Sequence, residues 1–367
     1  MKEAKISNFQ LALLIFAVFY GSIAITNPAF GAKSDAWIAV IIGFIGGLIL
    51  VTMFLYVSKL NSGQTLTEIL ENCFGKVLGK IISICYILFY LYKSSINTRL
   101  FGGFMAGSSY TDTPIIVLYI AFSIGVLYCL RGGLSNIGRV SEILVPIIPI
   151  SAIVISTSIF TMMDFSGFTP VLEDITPVIK SAFRIISIIF GDIFICLFII
   201  PYTNNENGRF KATYWTILSF EVLLMLLTVR NIIVVGPSLM VKMTYPSSVA
   251  AQMIPSININ PLIDISLLVG AGLKVVILLY AVSKIISDLF RLEEYKPIQT
   301  ALVILNIALA YCVLPQNGAV YPIWSKSYGD DIIAFPFHVL LPLIILIISI
   351  IKNRKKIIPK ALQPQGG

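Results

Sequence analysis

Residues 181–202 read SAFRIISIIFGDIFICLFIIPY, and the reading of this stretch decides the fold. It is long and apolar enough for one helix to cross the roughly 30 Å hydrocarbon core of a bilayer. Its middle nevertheless holds Gly191-Asp192, and Pro201 stands near its end. A charge at mid-depth costs about 2.5–3.5 kcal/mol on insertion scales, so it faces a bundle interior and marks function by default. Glycine and proline at that level let a helix unwind where the freed backbone groups line a cavity. The stretch therefore predicts an interrupted membrane-spanning helix with an acid at the interruption.

The same device stands at the front of the chain. Residues 7–30 form an apolar run in which Gly21-Ser22 lies past the middle and Asn27-Pro28 closes the segment. The apolar run from Phe9 to Ile25 exceeds the ~7–15 residues of a signal-peptide core and reads as a spanning helix. Hydropathy marks eight more segments, at 36–58, 81–109, 113–130, 140–163, 212–235, 262–289, 297–314 and 332–351. The expected fold is an all-α polytopic membrane protein of ten transmembrane helices. Interruptions in the first and sixth, corresponding positions of two five-helix halves, predict a 5+5 inverted repeat. One permease-like domain then covers residues 1–360, with repeats at about 7–163 and 181–351 and a basic tail over 352–367.

Composition agrees. Of 367 residues, 57% are hydrophobic and only 12% charged, and the mean hydropathy is +0.92. Soluble domains carry about 25% charged residues, so a water-soluble globule is excluded. The net charge of +8 comes without a basic stripe interleaved with aromatics, so nucleic acid is not implied. The basic residues instead sort by side. With the N-terminus inside, sixteen Lys and Arg near span ends face the cytoplasm against five opposite, which places both termini in the cytoplasm.

The five cysteines form no CxxC or other metal-ligand spacing, and no cofactor is expected. The single histidine, His338, has no second imidazole to share a metal and reads as packed or pathway-lining. Neither a GxxxxGK[ST] run nor a GxGxxG fingerprint occurs, and one histidine leaves little for a Ser/His/Asp set, so no enzyme is implied. Between the second and third spans, Thr65 and Glu68 form a capping-box pattern ahead of an apolar face through Leu66, Ile69 and Leu70. This predicts a short amphipathic helix along the cytoplasmic face. The long outer connections 164–180 and 236–261 are candidate lid or partner surfaces.

Counting along the spans puts Lys93, Asp192, Glu221 and Lys274 near mid-depth, where two cations and two anions cancel. Tyr86, Tyr90, Lys93 and Asn97 share one polar face of the third span, and Arg99 lies about 9 Å outward of Lys93 by helical rise. A Lys274–Glu221 pair that only sets helix register is the structural alternative. Gly43 with Gly47, and Gly103 with Gly107, are GxxxG pairs suited to close helix packing.

Over nearly its whole length the chain resembles the B subunits of endospore germinant receptors, the spore germination permeases of the amino acid-polyamine-organocation transporter superfamily. The resemblance rests on Gly21-Ser22 with Pro28, Gly75-Lys76 with Gly79, Thr98-Arg99, Gly132-Gly133-Leu134-Ser135 with Arg139, Pro170-Val171-Leu172, Gly191-Asp192 with Pro201, and Val234-Val235-Gly236, in this order. It implies the inverted-repeat fold in the spore inner membrane and a small germinant, commonly an amino acid. It also implies two partners, a larger membrane A subunit and a lipoprotein C subunit. The ligand site it implies comprises Gly21, Ser22, Ile23, Ala24 and Ile25 of the first span with Phe190, Gly191, Asp192 and, outward, Arg99; Lys93, Asn97, Glu221 and Lys274 supply charge coupling. Relatives often carry Gly where Ile23 stands, Glu where Asp192 stands, and an Arg near the start of the eighth span that has no counterpart beside Asp264. Two functions are expected from this reading. One is a germinant-sensing receptor subunit that signals to its partners. The other is a proton-coupled secondary amino-acid transporter with Asp192 or Glu221 titrating, which uptake into liposomes distinguishes.

Overall fold

Apolar runs of this length leave the chain few options, because every backbone N–H and C=O in hydrocarbon needs an internal partner. The computed structural model, which describes residues 5–23, 27–204, 206–243, 245–253, 259–313 and 329–361, accordingly resolves the runs into helices. Among the described residues, seven helices are long and apolar enough to cross a membrane, and three shorter apolar ones, Asn8–Ile23, Ile115–Arg131 and Lys296–Cys312, bring the set to ten. They coincide with the ten hydropathy segments and differ at the ends. The third helix, Lys76–Ser108, starts earlier than expected because Gly75, at φ 85°, ends a preceding helix and turns the chain straight into it. The fifth span is two helices, Gly133–Leu144 and Ile147–Ser158, split where Pro146 removes a backbone donor.

The helices pack as two related sets. The first helix packs on the seventh (Glu206–Val235) as the sixth packs on the second (Ala36–Leu60), while the first meets the sixth, the second the seventh, and the third the eighth (Asn260–Phe290). These are the neighbours that two copies of a five-helix unit related by a two-fold would give. Gly43 and Gly47 of the second span lie against Ile185 and Phe190 of the sixth, the close approach that small residues permit in lipid.

Two spans depart from α geometry at one level. The sixth runs as an α-helix over Ile175–Arg184, as a π-helix over Ile185–Phe190 and as a 3-10 helix over Gly191–Phe198. The tenth carries a π turn at Pro336–Leu340 before its helix Leu341–Ala361. That helix continues through much of the expected basic tail. The first span's regular helix, about 24 Å long at 1.5 Å per residue, ends at Ile23, and the chain resumes as a 3-10 helix over Pro28–Asp35 capped by Asn27. Gly21, Ser22 and Ile23 are therefore in the last helical turn, whereas the sequence reading has them unwound. Ala24 and Ile25, also expected to be unwound, lie outside the described residues.

The short helix Leu66–Phe74 bears both halves of the capping box. Its apolar face, Leu66, Ile69 and Leu70, is buried against the third, eighth and tenth spans. It is thus the short amphipathic helix expected from the sequence, with its apolar face docked on the bundle. The connection after the seventh span folds into helices Pro237–Lys242 and Pro246–Gln252, the second of which packs against the seventh and eighth spans.

Candidate functional site

The site is built around one carboxylate. Asp192 sits in the first turn of the 3-10 segment, next to Gly191 and just past the π turn, and is 4% exposed. Its Oδ2 accepts hydrogen bonds from Lys274 Nζ of the eighth span at 2.6 Å and from Ser22 Oγ of the first at 2.8 Å. Its Oδ1 faces Lys93 Nζ of the third span at 3.2 Å and His338 Nε2 of the tenth at 3.4 Å. Lys274 also donates to Ser22 Oγ at 2.7 Å, so lysine, serine and aspartate close a triangle. Five spans thus converge on one side chain.

Two glycines make the convergence possible. A Cβ on Gly21 would stand 2.8 Å from the Gly270 carbonyl oxygen and 2.9 Å from Lys274 Cβ, so only glycine lets the lysine stem cross the first helix. A Cβ on Gly191 would stand 2.6 Å from His338 Cβ and Nδ1. The change of winding in the sixth span has a matching use. A π-helix bonds i to i+5 and a 3-10 helix i to i+3, so carbonyls at their junction fall out of step with donors of their own helix. The Ser187 carbonyl accepts instead from His338 Nδ1 at 2.7 Å. A carbonyl only accepts, so Nδ1 carries the proton, and Nε2 bears one toward Asp192 only in the imidazolium form.

The charge balance sets what the cluster can bind. One carboxylate against two ammoniums leaves a surplus of +1 before His338 is considered. Asp192 is fully engaged, so an incoming ammonium meets no free acid at this point, while an incoming carboxylate meets surplus positive charge. Aromatic rings close one side of the cluster. Tyr86 and Tyr90 lie 5.6 Å apart, Tyr86 lies 5.7 Å from Phe194, and Phe89 stacks on Phe337 at 4.4 Å while its edge meets His338 at 5.0 Å.

Of the residues singled out from the sequence, Gly21, Ser22, Lys93, Gly191, Asp192 and Lys274 meet here. Others do not. Phe190 turns to the second span and to Phe19, whose ring is 5.3 Å away. Asn97 donates back to the Lys93 carbonyl at 2.8 Å. Arg99 lies beyond the cluster, donating to the Tyr119 hydroxyl at 3.1 Å, and Ile23 is buried packing. The Lys274–Glu221 pair does not form, because Asp192 lies on the lysine's own path across the first helix. Both Glu221 carboxyl oxygens are buried without a hydrogen-bond partner among the described residues. Two buried groups receive no specific role from the sequence reading. His338 lies on the tenth span, and nothing in its local sequence points at Asp192. Arg230, 2% exposed near the end of the seventh span, carries the one usable signal, a guanidinium within an apolar run.

This bundle has the LeuT-like transporter fold. It matches a Na+-coupled sialic acid symporter in its substrate-bound outward-open state with a TM-score of 0.68 at 14% identity, covering 94% of this chain and 89% of that one. It matches Mhp1, a nucleobase-cation-symport-1 family transporter, closed with bromovinylhydantoin bound, with a TM-score of 0.66 at 12% identity, covering 92% and 79%. The chain belongs to the family described as Spore germination protein, whose model matches residues 5–319. Spore germination protein KB of Bacillus subtilis (strain 168) is 28% identical over 373 residues, 97% of each chain.

Proposed function

We propose that this germination-family membrane protein is the germinant-sensing subunit of a spore germinant receptor. A small nutrient, an amino acid in the first instance, binds beside the Asp192 cluster, and partner subunits of the A (membrane) and C (lipoprotein) kinds read the change. Both termini face the cytoplasm from the spore inner membrane. The observation that carries this reading is the clamp itself. Five spans are held in one arrangement by a single carboxylate, so a ligand that competes for Lys93 or Lys274 shifts the balance between arrangements by its differential affinity for them. A fixed ammonium 2.6 Å from the acid also favours a switch over a carboxylate that must bind and release a proton in every cycle. Spores carrying Asp192→Asn at normal protein abundance are expected to lose nutrient sensitivity by tenfold or more in dose–response germination assays. An unchanged dose response overturns the proposal.

Glu221 supports the second reading, a proton-coupled amino-acid transporter, since a buried carboxyl without a partner is a natural proton site. Purified protein in liposomes separates the two. Partner-independent uptake of labelled amino acids, driven by a pH gradient and abolished by Glu221→Gln, selects the transporter.

A further inference from the structure

The Asp192 cluster engages its own acid and leaves a second charge unmatched. Arg230 is 2% exposed, and a guanidinium in protein is always charged and brings five donors. Its one hydrogen bond goes to the neutral Asn231 Oδ1 at 3.2 Å, and its Nε has no partner among the described residues. No carboxylate among the described residues pairs with it; the ion pairs found there all end on Asp192. Burying an uncompensated cation is among the costliest arrangements a protein makes, and a bundle that keeps one is built to receive an anion.

The surroundings say which anion fits. The Tyr20 ring rests on Gly270 of the eighth span, directly beside Gly21. Arg230 is carried by the seventh span, which packs along the first helix. Asn27, past that turn, donates to Thr228 on the seventh span at 2.9 Å, tying the resumption of the first span to the arginine's helix. The lid side is wired to the same group. Asn231, which accepts from Arg230, donates to Ser247 at 3.1 Å, in the outer helix Pro246–Gln252. A guanidinium fork matches a carboxylate bidentately, and occupation of the fork is felt one hydrogen bond away by the outer helix.

The geometry points to Arg230 as the anion-binding group of the ligand site, holding the carboxylate of a small organic acid such as an amino acid beneath the Pro246–Gln252 helix. This deepens the sensing proposal and rests on it for the ligand class. A small inorganic anion shares the chemistry, and the test separates the sources. Purified wild-type protein, Arg230→Gln and Arg230→Lys are checked for a monodisperse elution profile, then titrated with each proteinogenic L-amino acid, its primary amide, sodium acetate and sodium chloride against gluconate, reading thermal midpoint. The wild type is expected to bind at least one free acid tenfold or more tightly than its amide, Arg230→Gln to lose that preference, and Arg230→Lys to keep part of it. Stabilisation by acetate or chloride that vanishes in Arg230→Gln supports the anion site and identifies a simple anion as its occupant. Equal affinity for acid and amide in the wild type, or an unchanged preference in Arg230→Gln, overturns the inference; so does the absence of any acid or anion effect in the wild type. The two proposals fail separately: an acid preference lost in Arg230→Gln together with an unchanged germination response of Asp192→Asn spores keeps the anion site and overturns the sensing reading.

Discussion

Replacing Asp192 by Asn and, separately, Lys274 by Met tests the charge clamp through the order of two stability losses. At an effective dielectric constant of about 20, the 2.6 Å contact to Lys274 and the 3.2 Å contact to Lys93 correspond to gross attractions of roughly 6 and 5 kcal/mol. The two ammoniums, on different oxygens of one carboxyl, stand roughly 5–6 Å apart and repel by about 3 kcal/mol. Lys274→Met loses the first attraction but also removes the repulsion and one buried charge, leaving Asp192 neutralised by Lys93, with a net cost of about 1–3 kcal/mol. Asp192→Asn removes both attractions and leaves two buried like charges, at a cost of about 3–5 kcal/mol or more. The combined Asp192→Leu/Lys274→Leu change, which leaves one buried cation, falls between them. Thermal midpoints in detergent or nanodiscs, with the exposed Glu173→Gln as control, read the order. Equal losses for the two single changes, or a loss for Asp192→Asn no larger than that of the control, would show that the carboxylate does not hold the spans together.

Three further outcomes follow from the same packing. Gly21→Ala puts a methyl 2.8 Å from the Gly270 carbonyl and 2.9 Å from Lys274, so it should cost about 1–3 kcal/mol by overpacking and blunt the nutrient response; a fully stable variant with a wild-type dose response contradicts the packing account. Thr65→Ala removes the capping box of Leu66–Phe74, with an expected loss of about 1 kcal/mol and faster hydrogen exchange confined to that helix; unchanged exchange refutes the cap's role. Asp164 and Asp174 are held below the ordinary carboxylate range, each chiefly by a backbone amide, Ser166 and Thr176 respectively. A depressed folded-state value means that their contribution is complete above about pH 4 and fades as pH falls through the lowered value, which titration of the two carboxyls by NMR checks.

The amino-acid sequence by itself determined that this chain lives in a bilayer, where its ten helices run, and that an acid at Asp192 with cations at Lys93 and Lys274 sits where charge is costly. Those conclusions depend on hydrogen-bond satisfaction and charge burial, which act on local composition and need no knowledge of neighbours. Gly191 was equally legible as a departure from a regular helix, whereas Gly21 proved to be helical and to serve close packing. What each glycine admits was not legible, because the lysine stem and the imidazole come from the eighth and tenth spans, far along the chain. Tertiary structure alone chose Asp192 over Glu221 as the partner of Lys274, turned Phe190 to the second span and Asn97 back on its own helix, and brought His338 to the acid. It also left Arg230 without a counter-charge among the described residues. The physical reason is the same in each case: hydropathy and helical period fix depth and face to within a turn, whereas an ion pair is decided by rotation and close approach of helices over a few ångströms, set by packing across the whole bundle.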